Sequence, residues 1–188
     1  MKFAFSYLIF LASFLSVGAE VGEAPTPLLP EAFKDSIEHG SKHTTPLVPT
    51  ALMTDETKWL ISALEKAHYK RLSIDNLDRK QFLEKYVNNL DKQKLFFTAV
   101  DLQTFLDRYE PTLLTYLKQG NLFPAFEIYE TYRQKALTRL ESTLRDLTRA
   151  PSLESNQSFL VDRSEVEWAK SGVALDIVWK QVVSHEYI

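Results

Sequence analysis

Residues 68–105 read HYKRLSIDNLDRKQFLEKYVNNLDKQKLFFTAVDLQTF, and their spacing decides the fold. Phe82, Leu83, Tyr86, Val87 and Leu90 recur at steps of three and four, the period that stacks side chains on one face of an α-helix. Ser73 and Asp75 offer oxygens to cap a helix over about 77–90, and Asn88-Asn89 weakens its last turn. Thr98, with Asp101 three residues on, has the form of a capping box and starts the next helix. Upstream, Thr54 or Asp55 caps a helix running to about Tyr69 with Leu60, Leu64 and Ala67 on its buried stripe. These first two helices are expected to form a hairpin plugged by Phe96 and Phe97.

Downstream, Leu102, Phe105, Leu106 and Tyr109 carry the stripe to Pro111, which kinks the helix or begins a new one holding Leu113, Leu114 and Leu117. Gly120-Asn121 stops it. A long helix over 123–148 follows, with Pro124 tolerated in its first turn and Phe126, Tyr129, Leu137, Leu140, Leu144 and Leu147 on one face. Residues 149–163, with Pro151, several serines and Asn156, read as a surface loop. Ser171 caps a last helix whose apolar face holds Leu175, Val178, Trp179, Val182 and Val183. Nothing in the sequence is expected to cover that face, so Leu175, Val178, Trp179 and Val182 are the candidate interaction residues.

The totals agree with one helical unit. A chain of 188 residues that is 45% hydrophobic can bury a single core, and five glycines with eight prolines are few for a sheet-and-turn protein. The expected architecture is all-α, a single domain of five to six helices over 54–188, after a cleaved signal peptide and a Pro-rich linker. The formal net charge is −3 and acidic and basic residues are mixed, which gives no electrostatic footprint for nucleic acid. With no cysteine, disulfides and thiol catalysis are excluded.

The first 19 residues have the parts of an export signal: Lys2, an apolar run over 3–14 broken by Ser6 and Ser13, and Val17-Gly18-Ala19. Cleavage between Ala19 and Glu20 is expected, with release into the periplasm, because the run is shorter than the ~20 residues a membrane span needs. Residues 20–53 hold Pro25, Pro27, Pro30, Pro46 and Pro49 and read as a linker. Within it, Phe33 and Ile37 allow a turn or two of helix before Gly40. His39 and His43 are four apart, but Gly40-Ser41 lies between them and no third ligand is near, so no metal is expected.

The order of these features, His68-Tyr69, the aromatic spacing over 78–86, Leu90-Asp91, Leu95-Phe96-Phe97 and Asp101, resembles the N-terminal helical domain of the tail-specific proteases, the carboxy-terminal processing peptidases of the bacterial periplasm. The resemblance continues over 120–147 and through Val161-Asp162-Arg163 to Trp179. It implies that His68-Tyr69 is structural. It also implies a role in scaffolding and docking rather than catalysis, with a protein partner, either an adaptor or the peptidase part of the same family. The family's peptidase uses a serine activated by a lysine, and a PDZ module captures the substrate's C-terminus as an added strand. No serine here stands in a Gly- and Ala-rich strand-to-helix turn, and no strand pattern exists to build either fold, so no catalytic residue and no cofactor is expected in this chain. The carboxylates Asp162, Glu165 and Glu167 read as solvated faces rather than an acid–base pair.

Two function classes follow: the scaffold and interaction domain of a periplasmic tail-specific protease without its PDZ and peptidase domains, or a stand-alone exported helical binding or adaptor protein. An enzyme with an unrecognised site ranks behind both, since no polar groups visibly converge.

Overall fold

Six α-helices and one 3-10 turn account for the regular structure of residues 46–146 and 159–187, the residues that the computed structural model describes. Helix α1 (Ala51–Lys66) is capped by Thr50, whose hydroxyl accepts from the Met53 N–H; the cap lies four residues earlier than Thr54. Ser73 and Asp75 belong to the 3-10 turn Ile74–Asn76, and Asp78 caps α2 (Arg79–Leu90) by accepting from the Gln81 N–H at 2.9 Å. Thr98 and Asp101 form the full capping box of α3 (Ala99–Tyr109). Pro111 separates α3 from a new short helix, α4 (Leu113–Lys118), which ends where Gly120 takes φ +67. Helix α5 (Phe123–Asp146) is ~36 Å long at 1.5 Å per residue, and α6 (Gly172–Tyr187) starts where Ser171 accepts from the Ala174 N–H.

The first core lies between α2, α3, α4 and α5: Leu83, Val87, Phe105, Leu106, Tyr109, Leu113 and Ile128 pack around Phe97. Val87, Phe97 and Ile128 are wholly buried, each contributing roughly 1.5–3 kcal/mol by leaving water. A second, smaller core forms where Leu95 meets Leu175, Trp179 and Val182 of α6, with Phe96, Phe159 and Val183 at its edge.

Several expectations change. The α1–α2 hairpin does not form; α1 packs instead on α4. It buries no residue, and Leu60 and Leu64 are exposed because the helix turns its other side inward. Phe82 is exposed while the rest of its stripe points into the body. On α5 the buried residues are Pro124 and Ile128 rather than Phe126 and Tyr129, because a different side of the helix from the expected one meets the core. Phe96 and Phe97 do not plug a hairpin together; they enter different cores. The signal segment, the junction Ala19–Glu20, His39 and His43, and Leu147 with the following residues to 158 lie outside the described residues.

Candidate interaction site

The face proposed for interaction is an interior face. Leu175, Trp179 and Val182 are 3%, 5% and 7% exposed, and Val178 packs against the same cluster. The cover is the turn at Leu95-Phe96, more than eighty residues earlier in the chain. Trp179 fixes the contact by donating its indole Nε1–H to the Leu95 carbonyl at 2.6 Å. Its ring lies 5.6 Å from Phe96 and under the Arg139 guanidinium, which pairs with Asp176 at 2.5 Å and ties α5 to α6.

That turn is built on Asp91. As the C-cap of α2 it is 3% exposed, and its carboxylate accepts three backbone N–H groups: Leu95 at 2.8 Å, Phe96 at 2.9 Å and Phe97 at 2.8 Å. Burial pushes the Asp91 carboxyl above its ordinary value, and the three N–H groups and the Lys94 charge pull it only part of the way back. Lys94 sits at φ +53, a conformation that L residues rarely adopt. The strain is offset by its side chain: the amine donates to the Ser164 carbonyl and lies 5.4 Å over the Trp168 ring.

The segment 162–169 completes the clasp from the other side. The Gln93 side chain accepts from the Arg163 N–H at 2.7 Å and donates to Asp162 at 3.3 Å, and the Ala99 N–H donates to the Ala169 carbonyl at 2.9 Å. Asp162, held by the Ser164 N–H above all, stays below the usual carboxylate range. Burial pulls the Arg163 guanidinium below its ordinary value, the Asp91 charge offsets this only in part, and its Nε is buried with no hydrogen-bond partner among the described residues. Trp168 reaches the first core beside Phe97, with ring centroids 6.4 Å apart. The clasp therefore joins both cores through polar bonds that converge on one turn.

The chemistry available here is that of support. Where a lysine meets a serine, Lys94 bonds the Ser164 carbonyl and leaves its hydroxyl untouched, so this contact activates no nucleophile. An open groove beside the clasp is lined by Gln81, Glu84, Lys85, Asn88, Leu102 and Trp168. Among the described residues no group of three acidic or histidine side chains is placed to hold a metal, and no helix is long and apolar enough to cross a membrane. His68 is exposed at the end of α1, its Nδ1 accepting from the Lys70 N–H and its ring against Tyr69, a helix-end role. Glu165 and Glu167 are exposed, as solvated carboxylates should be. In the sequence Asp91 stands out only in the Leu90-Asp91 step of the family resemblance. Its one local signal is an acid directly after a helix, four residues before the apolar run Leu95-Phe96-Phe97.

A family model described as the tail specific protease N-terminal domain matches residues 60–188. The tail-specific protease of Haemophilus influenzae is 24% identical over 132 residues, a match that covers 70% of this chain and 19% of that protein. The chain thus spans about a fifth of the curated relative's length. The family match runs from the middle of α1 to the end of α6 and takes in both cores and the clasp between them, so the chain belongs to the tail-specific protease N-terminal domain family.

Proposed function

We propose that this chain is the N-terminal scaffold and protein-docking part of an exported, periplasmic carboxy-terminal processing serine protease, and does not itself cleave peptide bonds. The observation that carries the reading is the family match over 60–188, laid on a body whose polar groups stiffen a turn rather than converge on a reacting atom. Acyl transfer needs nucleophile, base and oxyanion donors in one pocket, and in this reading all three come from a peptidase segment with a PDZ module beside it. Docking uses the exterior of the body, because Leu175, Trp179 and Val182 are committed to its interior.

The test is incubation of purified residues 20–188 with a reporter protein ending in an apolar tail, alone and after adding the peptidase part of a full-length relative. The expected result is an intact reporter with the chain alone and a stable complex between chain and peptidase part. Cleavage by the chain alone, lost on replacing a single serine, overturns the reading. Mass spectrometry of the exported product should find Glu20 at its N-terminus; a retained Met1 overturns the export reading.

The covered face of α6 favours a second reading, a stand-alone exported binding protein, since the body closes its own second core. Size exclusion and circular dichroism of residues 20–188 address it: a folded monomer or dimer that binds no peptidase part supports the second reading over the first.

A further inference from the structure

Nine of the sixteen large hydrophobic side chains that stand exposed among the described residues lie between Leu47 and Leu72, in α1 and the turns beside it. On α1 they form one face. Thr54, Ile61 and Glu65 fall within about 40° of one another at 100° per residue and make the side turned to the body. Each is half-buried, the Thr54 carbonyl approaches Gly120, and Glu65 accepts from the Ile74 N–H at 2.9 Å. Leu52, Met53, Trp59, Leu60 and Leu64 fall within an arc of about 140° on the other side. They are left in water, Leu52 at 66% exposure and Trp59 at 71%. A contiguous apolar face of this kind marks a contact surface.

The charges on α1 say what fits it. Asp55 and Lys66 lie about 20° apart around the helix and three turns apart along it, on the edge of the stripe beside Trp59, while Glu56 stands within the stripe. All three are exposed, and none makes an ion pair among the described residues. An edge with its acid near one end and its base near the other is complementary to itself reversed. We infer that α1 pairs antiparallel with α1 of a second copy of this chain, about a two-fold axis at Leu60. In that register Lys66 comes level with Thr54 of the second copy, within reach of its Asp55 and Glu56, and Leu60 meets Leu60. The same order brings the apolar approach at Leu47-Val48 to the second copy's helix end at Tyr69 and Leu72. A parallel pairing would instead set Asp55 against Asp55 and Lys66 against Lys66, which repel. The area is adequate: nine large side chains at roughly 100 Å² of exposed surface each offer about 900 Å² per copy, against the ~800 Å² that a standard interface takes from each partner. The inference stands apart from the protease reading, since it rests on α1 alone.

The test is sedimentation of the exported chain over a concentration series, joined to cysteine cross-linking, which the chain allows because it has no cysteine of its own. A dimer that forms with rising concentration is expected, and Trp59→Asp should weaken it roughly thirtyfold or more while circular dichroism keeps the helical signal. Leu60→Cys, at the axis, should oxidise to a covalent dimer, whereas Leu52→Cys should not, because antiparallel pairing holds its two copies about 24 Å apart. A chain that stays monomeric at every concentration overturns the inference. So does a dimer of unchanged strength in Trp59→Asp, which would use another surface, and so does cross-linking of Leu52→Cys as readily as Leu60→Cys, which would show parallel pairing or chance collision. Should Trp59→Asp fail to fold, the two cysteine variants decide between the same outcomes.

Discussion

Replacing Asp91 should damage this protein more than its single charge suggests. Its carboxylate is the acceptor for the N–H groups of Leu95, Phe96 and Phe97, all within 2.9 Å. In Asp91→Ala those donors lose their acceptor, two of them on buried residues, at about 1–3 kcal/mol for each buried donor left unpaired. The relief from no longer burying a carboxylate subtracts from that sum of about 2–6 kcal/mol, so the expected net loss is about 2–5 kcal/mol, a large fraction of the roughly 5–15 kcal/mol that holds a domain together. Asp91→Asn should be milder, at about 1.5–3 kcal/mol. Its one carbonyl oxygen can serve either Leu95, as Oδ1 does, or the Phe96 and Phe97 pair, as Oδ2 does, while its NH2 faces the donors left over.

Urea denaturation followed by circular dichroism should therefore rank Asp above Asn above Ala. A pH series adds a signed test. Because burial raises this carboxyl in the folded state, folding takes up a proton between the ordinary carboxylate value of 3.8 and the raised folded value. The contribution of Asp91 to stability then falls as pH rises through that window, so the cost of Asp91→Asn should shrink with rising pH and level off above it. An alanine variant within about 0.5 kcal/mol of the parent, or an asparagine cost that grows with pH across the window, refutes the reasoning.

Ile128→Ala should cost about 2–5 kcal/mol in the same assay, whereas Leu140→Ala, at a half-buried position of the same helix, should cost about 1 kcal/mol; equal losses would place the core further along α5 than it lies here. Gly120→Ala should cost more than about 1 kcal/mol and speed hydrogen exchange in α1, because the residue sits at φ +67 and a new Cβ would meet the Thr54 carbonyl oxygen at 2.4 Å; unchanged exchange in α1 would show that the approach is not tight. Burial above all, with the Asp91 charge, pushes the Tyr132 hydroxyl up to about 12. Its stabilising effect is complete below the ordinary tyrosine value of 10.0 and is lost as pH climbs from there toward 12, so Tyr132→Phe should flatten the alkaline decline in stability seen by urea denaturation at a series of pH values.

Local chemistry was legible and long-range chemistry was not. The Thr98–Asp101 box, the Gly120 stop and the Ser171 cap each act within four residues, so the sequence shows donor and acceptor side by side. The cover on Leu175 and Trp179 comes from Leu95 and Phe96, and no local pattern announces a partner that distant. The outward stripe of α1 misled for a related reason: periodicity shows that a helix has an apolar face but not which way the face points. Here the inward side was selected by a close approach to Gly120 and by Glu65 capping the 3-10 turn, both tertiary events. Asp91 escaped because its partners are backbone N–H groups, which every residue but proline carries and which therefore leave no mark in a sequence.

The adjacent phenylalanines show why the turn between the cores is polar. Phe96 and Phe97 enter different clusters: Phe97 meets Phe105 at 5.4 Å in the first core, and Phe96 meets Tyr132 at 5.2 Å and Trp179 at 5.6 Å beside the second. On a helix two neighbours stand only about 100° apart and would crowd one face, so the backbone between them must leave helical geometry while still buried. Such a backbone has N–H groups with no helical acceptor, and an apolar filling would leave them unpaired. One carboxylate at the end of α2 accepts from all three N–H groups at once, which fixes the direction of both rings and hence the placement of α6 against α2 and α3. Polar bonding between the two cores is thereby concentrated at Asp91, while α1 reaches the body through α4 and a few polar bonds such as Glu65 to the Ile74 N–H.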